Sequence, residues 1–250
     1  MRVKINFQGI ACGNGFTDPV NMLAIGEFIF GIGIIDRLTA DYLSQSSEEA
    51  RQHIRAGRTR LAYTIMDRIY IGVTTQDTFF KNTTGFEYIY NQLHHKEPQS
   101  VGRYKHFVTT VDVRRAIHVG QRKFSTSREA VAGYFAEDFM RSAVPQFTVL
   151  LENGYRVLVY SGQLDIAVPT TQTENFLSQL RWSGTNLWAR AGQRQWRSSD
   201  GEKLRGYVKS VDNLHFVAVR NSGHMVPHDT PQAAFDLISA FIDGSVPFNK

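Results

Sequence analysis

His224 follows an apolar run, Leu214-His215-Phe216-Val217-Ala218-Val219, and a Ser222-Gly223 break. The run is β-branched and aromatic enough to predict a short buried strand, with the imidazole on a tight turn at its carboxyl end. Asp165 repeats the design: Tyr155-Arg156-Val157-Leu158-Val159-Tyr160 predicts a strand, Ser161-Gly162 a turn, and the carboxylate follows. In open α/β sheets the carboxyl ends of strands border the ligand crevice. A carboxylate that accepts the Nδ1 proton of an imidazole fixes its tautomer and stabilises the imidazolium formed as a nucleophile gives up its proton. Asp165 and His224 are therefore candidates for the acid and base of an acyl-transfer site.

A nucleophile that precedes the acid, which in turn precedes the base, is the chain order of α/β-hydrolases. Before Asp165, however, no serine stands in the Gly-x-Ser-x-Gly turn that exposes the hydroxyl. Ser44, Ser46 and Ser47 lie in a polar helical stretch, Ser125 and Ser127 precede a helix as caps, Ser142 reads as helical, and Ser100 and Ser161 as loop residues. Cys12 also precedes the acid and ends a predicted strand, but Ile10 stands where the elbow needs glycine, so an inert buried thiol is the better reading. A metal site from His224 and His228 or from His94 and His95 is disfavoured, because Pro227 interrupts the first pair and adjacent residues point two ways.

Four separated stretches, in order, resemble the serine carboxypeptidase family, most of all its vitellogenic carboxypeptidase-like branch. They are Gly13-Asn14-Gly15-Phe16-Thr17-Asp18-Pro19, Ala116-Ile117-His118-Val119-Gly120, Val157 through Asp165, and Gly223-His224-Met225-Val226-Pro227 with Asp229 and Pro231. The resemblance implies an α/β fold, the carboxyl-terminal portion of an α/β-hydrolase with a helical cap insertion. It implies Asp165 and His224 as triad acid and base, Met225 as a residue lining the substrate pocket, and Asn14 as structural. It implies no cofactor, and peptide substrates attacked at their carboxyl-terminal residue. The family's nucleophile motif, Gly-Glu-Ser-Tyr-Ala-Gly, would stand shortly before residue 3, so by this resemblance the chain is a carboxyl-terminal part without the nucleophile segment, inactive alone. A second copy or the missing amino-terminal half is then its expected partner. The non-enzymatic alternative is a binding or decoy fragment that associates through an exposed sheet edge.

A hydrophobic content of 42% and an aromatic content of 12% support a sizeable core and exclude a disordered chain. No stretch approaches the apolar length of a membrane span, and no signal-peptide pattern opens the sequence. The net charge of +5 is spread among acidic residues, Arg51, Arg55 and Arg58 read as a solvated helix face, and no aromatic-rich basic motif points to nucleic acid. Cys12 is the one cysteine, which excludes an internal disulfide, while Asn82-Thr83-Thr84 is a glycosylation acceptor whose use requires the secretory pathway. The family implies a secreted or lysosomal protein.

The elements that must position the site fall into three parts: residues 1–23, a core strand (3–12) and loop; 24–110, a mainly helical cap; and 111–250, the core part with acid and base. Within the cap, 41–72 is helix-periodic through Ala50, Ile54, Leu61, Ile65 and Ile69. Residues 127–152 predict an amphipathic helix interrupted at Pro145, with Val131, Phe135, Phe139 and Val144 facing the sheet. Trp182, Trp188 and Trp196 fall in a segment resembling the family's strand pair, and a last helix runs from Pro231 to Asp243 before Gly244. The strand at 3–12 is expected to expose unpaired backbone groups and to make the isolated chain poorly soluble.

Overall fold

The strands that lead to Asp165 and His224 are neighbours in one sheet. The structure is a computed structural model and describes residues 3, 5–126 and 129–244. Five strands, β1 (Gly9–Gly13), β2 (Arg156–Gly162), β3 (Arg194–Arg197), β4 (Leu204–Val211) and β5 (Leu214–Val219), lie in the order β1-β2-β5-β4-β3. β1, β2 and β5 are parallel, with Gly162 opposite Val219 at their carboxyl ends. β4 and β3 complete the sheet as antiparallel arms. Among the described residues β1 is an edge, paired only with β2.

The period of two along each strand sorts its side chains onto two faces. Val157, Val159, Leu214, Phe216 and Ala218 pack with Phe147, Leu151, Phe176 and Trp188 from the helices Val144–Glu152, Thr170–Gln179 and Thr185–Arg190. Leu158, Val217 and Val219 pack on the other side with Trp196, Val226, Leu237 and Phe241. The helix Pro231–Asp243 that supplies the last two starts on proline and stops at Gly244 in a left-handed conformation, φ 68°, as its sequence requires. Every residue of β5 is buried, which makes it the central strand.

His215 is part of that burial, and its imidazole contacts Ser210 Oγ at 3.1 Å. Burial, with Arg156 nearby, pushes its pKa down from 6.5 to about 4. The folded state thus binds the proton less readily than the unfolded chain, so stability is lost as pH falls from about 6.5 through about 4. That loss approaches about 3 kcal/mol at its acid limit. The melting temperature of His215→Leu should therefore fall less between pH 7 and pH 4 than that of the parent; equal falls would remove His215 as the cause.

A third cluster is helical. Ile29, Leu43, Ala50, Met66, Ile69, Phe80 and Met140 close on one another, and Ile166, the residue after Asp165, is part of the same cluster. The helix-periodic stretch is two helices, Arg37–Arg55 and Thr59–Met66, because Gly57 at φ 71° ends the first; a π-helical turn, Asp67–Ile71, follows the second. Leu61, read as part of the apolar stripe, is 49% exposed.

Several further local expectations are corrected. The helix Glu129–Phe139 turns Ala132, Ala136 and Met140 towards the helical cluster and leaves Val131 and Phe135 exposed, while Phe139 meets Tyr63 and Phe16; only Val144 packs with the sheet-facing set. Ser142 is not helical; its hydroxyl accepts from Val144 N at 3.2 Å just ahead of the helix Val144–Glu152. Of the three tryptophans only Trp196 is in a strand, since Trp188 is helical and Trp182 precedes that helix. Ser127 lies outside the described residues. Among the described residues no helix is long and apolar enough to cross a membrane.

Candidate active site

Asp165 and His224 lie in the loops that leave the carboxyl ends of β2 and β5, and their side chains meet. His224 Nδ1 is 2.8 Å from Asp165 Oδ2. The carboxylate is fully buried and receives two further donors, Asn14 Nδ2 at 2.7 Å on Oδ2 and Ala167 N at 2.8 Å on Oδ1. A carboxylate only accepts, so Nδ1 carries the hydrogen and Nε2 is left with a lone pair. The imidazole is 29% exposed, and among the described residues no side chain hydrogen-bonds Nε2.

Residues 87–91 strap these loops together. Ile89 O accepts from Ile166 N at 3.1 Å and Ala167 N at 2.9 Å on the acid side, and Tyr90 O accepts from His224 N at 2.7 Å on the base side. The Tyr90 ring stacks on the imidazole, centroids 4.8 Å apart at 28°. Asp229 Oδ2 accepts from Gly223 N at 2.7 Å and from Asn91 Nδ2 at 2.9 Å, which ties strap to turn a second time. From the helical cluster the Tyr70 hydroxyl donates to Ile166 O. Burial and the charge of Asp165 push Tyr70 well above the usual phenol range, so it remains a donor.

None of Tyr70, Ile89, Tyr90 and Asn91 carries a local signal of its role, since each acts on a loop far away in sequence. Asn14 does carry one. It sits in Gly13-Asn14-Gly15 at φ 47°, a conformation asparagine tolerates better than most residues, with its N donating to Tyr160 O at 2.8 Å. Asn14→Ala removes a buried donor to a carboxylate and keeps the unfavourable φ. We expect a loss of about 2 kcal/mol in urea unfolding; a loss under about 0.5 kcal/mol would show that Asn14 does not hold the carboxylate.

Beside His224 lies a cavity of about 260 Å³. Its wall is mostly apolar, with Phe16, Leu23, Met66 and Val168, and is interrupted by Asn14, Gln172 and the imidazole. Met225 adjoins His224 but is not part of that wall; its carbonyl receives the N–H groups of His228 and Asp229. Asn82 is exposed on the short helix Phe79–Thr84. Cys12 is on β1, and burial pushes its thiol above the usual value, which opposes a thiolate nucleophile. His228 turns to Asp229 Oδ1 at 2.9 Å and Ser100 Oγ at 3.2 Å, away from any pairing with His224. No group of three or more His, Cys, Asp or Glu able to hold a metal occurs among the described residues.

A family model described as serine carboxypeptidase matches residues 1–244. A venom serine carboxypeptidase of Apis mellifera is 40% identical over 242 residues, 96% of this chain and 51% of that protein. A probable serine carboxypeptidase CPVL of Homo sapiens is 37% identical over 246 residues, covering 97% and 51%. A vitellogenic carboxypeptidase of Aedes aegypti is 35% identical over 241 residues, covering 95% and 50%. The chain thus spans about half the length of the curated relatives it matches. The crystal structure of Kex1(delta)p, a prohormone-processing carboxypeptidase from Saccharomyces cerevisiae, superposes with a TM-score of 0.73 at 20% identity, over 95% of this chain and 55% of that one, which places the architecture in the α/β-hydrolase fold. The chain belongs to the serine carboxypeptidase family.

Proposed function

We propose that Asp165 and His224 are the acid and base of a serine-type carboxypeptidase that removes carboxyl-terminal residues from peptides. The observation that carries the reading is the 2.8 Å contact between His224 Nδ1 and a buried, fully hydrogen-bonded carboxylate beside an apolar cavity. In this reaction a serine supplied by a longer form of the protein attacks the carbonyl of the last peptide bond. His224 Nε2 takes the hydroxyl proton and returns it to the departing amine, and the carboxyl-terminal amino acid leaves. Water then attacks the acyl-enzyme, its proton passes to the same nitrogen and on to the serine oxygen, and the shortened peptide is released. Asp165 holds the tautomer and stabilises the imidazolium in both halves.

Residues 24–110 act in this proposal as a cap over the cavity, and Met225 borders the substrate. The setting is secreted or lysosomal, which the name of the venom relative supports, and exposed Asn82 carries the glycan. The 250-residue chain brings no serine to Nε2 among its described contacts, so we expect no turnover from it alone. Release of free amino acid from a blocked dipeptide is the test. A form extended upstream to include a serine elbow should release it and lose that activity in His224→Ala. Turnover by residues 1–250 that survives His224→Ala would overturn the assignment.

A further inference from the structure

The net charge, expected to be spread among acidic residues, is gathered in one segment. Residues 99–126 hold Arg103, Lys105, Arg114, Arg115, Arg122 and Lys123 against a single acid, Asp112. That excess accounts for the whole +5 of the chain, so the remainder is neutral. No residue of the segment is buried, although it contains the helices Gln99–Phe107 and Val111–Ala116. It is an arm with a defined shape all the same. Ser100 Oγ ties its root to His228 Nε2 at 3.2 Å, and Tyr104 meets Phe124 edge to face with centroids 6.1 Å apart. The Arg114 guanidinium donates to Gly120 O and, at 2.7 Å, to Arg122 O.

Elsewhere exposed arginines meet carboxylates, as Arg37 does Glu27 and Arg60 does Glu137. On the arm Lys105 is paired with Glu97 at 2.7 Å, but Arg103, Arg114, Arg115 and Arg122 have no carboxylate within 4.0 Å among the described residues. Arg114, Arg115 and His118 line an open hollow of about 540 Å³. Phe107, Val111 and Ile117, on the same arm, are 61%, 70% and 53% exposed. Like charges gathered without counter-charge repel one another, and an anionic partner relieves that repulsion. A guanidinium receives a carboxylate through two parallel hydrogen bonds. Nucleic-acid contacts are strongly polar, whereas protein contacts combine arginine with aromatic side chains around an apolar centre, which is the mixture found here. A bilayer takes up a helix with one apolar face and a basic border. On this arm the bases themselves line a hollow, which a side-chain carboxylate can enter and a flat lipid surface cannot.

We propose that residues 99–126 are a docking surface for an acidic segment of polypeptide. Its carboxylates meet Arg114, Arg115 and Arg122, and its apolar side chains cover Val111 and Ile117. The surface uses neither Asp165 nor His224, so the proposal does not depend on the carboxypeptidase reading.

The probe is a labelled peptide of repeating Glu-Glu-Phe, titrated with the 250-residue chain and compared with repeating Gln-Gln-Phe. The glutamate peptide should bind at least about tenfold tighter, and raising the salt from about 0.05 M to about 0.5 M should remove most of that preference. Arg115→Glu with Arg122→Glu should weaken it about tenfold or more. Arg55→Glu with Arg58→Glu, which takes the same charge from another surface, should weaken it less than about twofold. Arg115→Gln with Arg122→Gln should weaken it about fivefold and serves if the reversed variant does not fold. Equal losses in the two charge-reversed variants, or equal binding of the two peptides, would overturn the proposal. So would tighter binding to phosphatidylserine vesicles or to duplex DNA than to the peptide, which would make the partner a lipid surface or a nucleic acid. Loss of peptide binding in a form extended upstream would overturn it as well, by showing the arm to be covered from within the protein. Because the readout is binding, failure of every form of the protein to release amino acids would sink the carboxypeptidase reading and leave this result standing.

Discussion

Asp165→Asn should lower kcat about 10,000-fold in a form of this protein that turns over a blocked dipeptide, with the fold retained. The surrounding donors decide which end of the new amide goes where. At the Oδ1 position the NH₂ group would face Ala167 N–H, a backbone donor that cannot turn away. At the Oδ2 position it meets Asn14 and His224, and both can adapt. Asn14 can rotate its amide at little cost, because the Oδ1 it would present has no present partner. The imidazole can shift its hydrogen to Nε2 and accept at Nδ1. The amide therefore settles with one hydrogen on Asn14 and one on His224, and Nε2, now protonated, cannot take the serine's proton. Circular dichroism should be unchanged and KM little altered. A fall in kcat of less than about tenfold would mean that the tautomer is not set by Asp165.

The parts of the site that could be read in advance are those written locally. Val157 to Tyr160 and Phe216 to Val219 are continuous apolar runs, and such runs in α/β chains are strands buried on both faces. The Ser161-Gly162 and Ser222-Gly223 breaks after them set where the acid and base emerge, and the final helix is marked at both ends by Pro231 and Gly244. What escaped was decided by partners distant in the chain. Glu129–Phe139 shows two apolar stripes, and only the presence of the helix Thr59–Met66 beside it selects Ala132, Ala136 and Met140 over Val131 and Phe135. The strap at 87–91 works mainly through its carbonyls, and a carbonyl has no residue signature. Tyr90 could have been leucine in a reading by pattern alone, yet its ring is stacked on His224 and its O receives His224 N. Ser142 sits between two helices although helical periodicity runs through it; Pro145, in the first turn of the second helix, cannot continue a helix from before it, and Ser142 Oγ accepts from Val144 N across the break.

The strap also explains why glycine is required beside the base. Gly223→Ala would place a methyl group 2.0 Å from Tyr90 O, with Asn91 Cβ at 2.8 Å and Asn91 Cα at 2.9 Å. Two of these are backbone atoms, and they are held: Tyr90 O already accepts from His224 N, and Asn91 Nδ2 bonds Asp229, which itself holds Gly223 N. No rotamer relieves the contact, so strap and turn must move apart by roughly 1 Å, taking the imidazole from its tyrosine and from Asp165. Overpacking of this kind costs about 1–3 kcal/mol. For a domain of this size that is a fall in melting temperature of roughly 3–10 °C. Misplacing a reacting group by about 1 Å adds a loss of about 100-fold in kcat wherever the base is in use. Gly162→Ala should behave alike from the acid side, since its methyl would meet Gly223 O at 2.1 Å and Ser222 O at 2.4 Å. Gly133→Ala is the control, because nothing lies within 4 Å of a methyl there and the residue is inside the helix Glu129–Phe139. It should stabilise by about 0.5–1 kcal/mol through helix propensity. If Gly223→Ala melts with the parent while Gly133→Ala gains as expected, the strap yields to the methyl and cannot be what fixes His224 against Asp165.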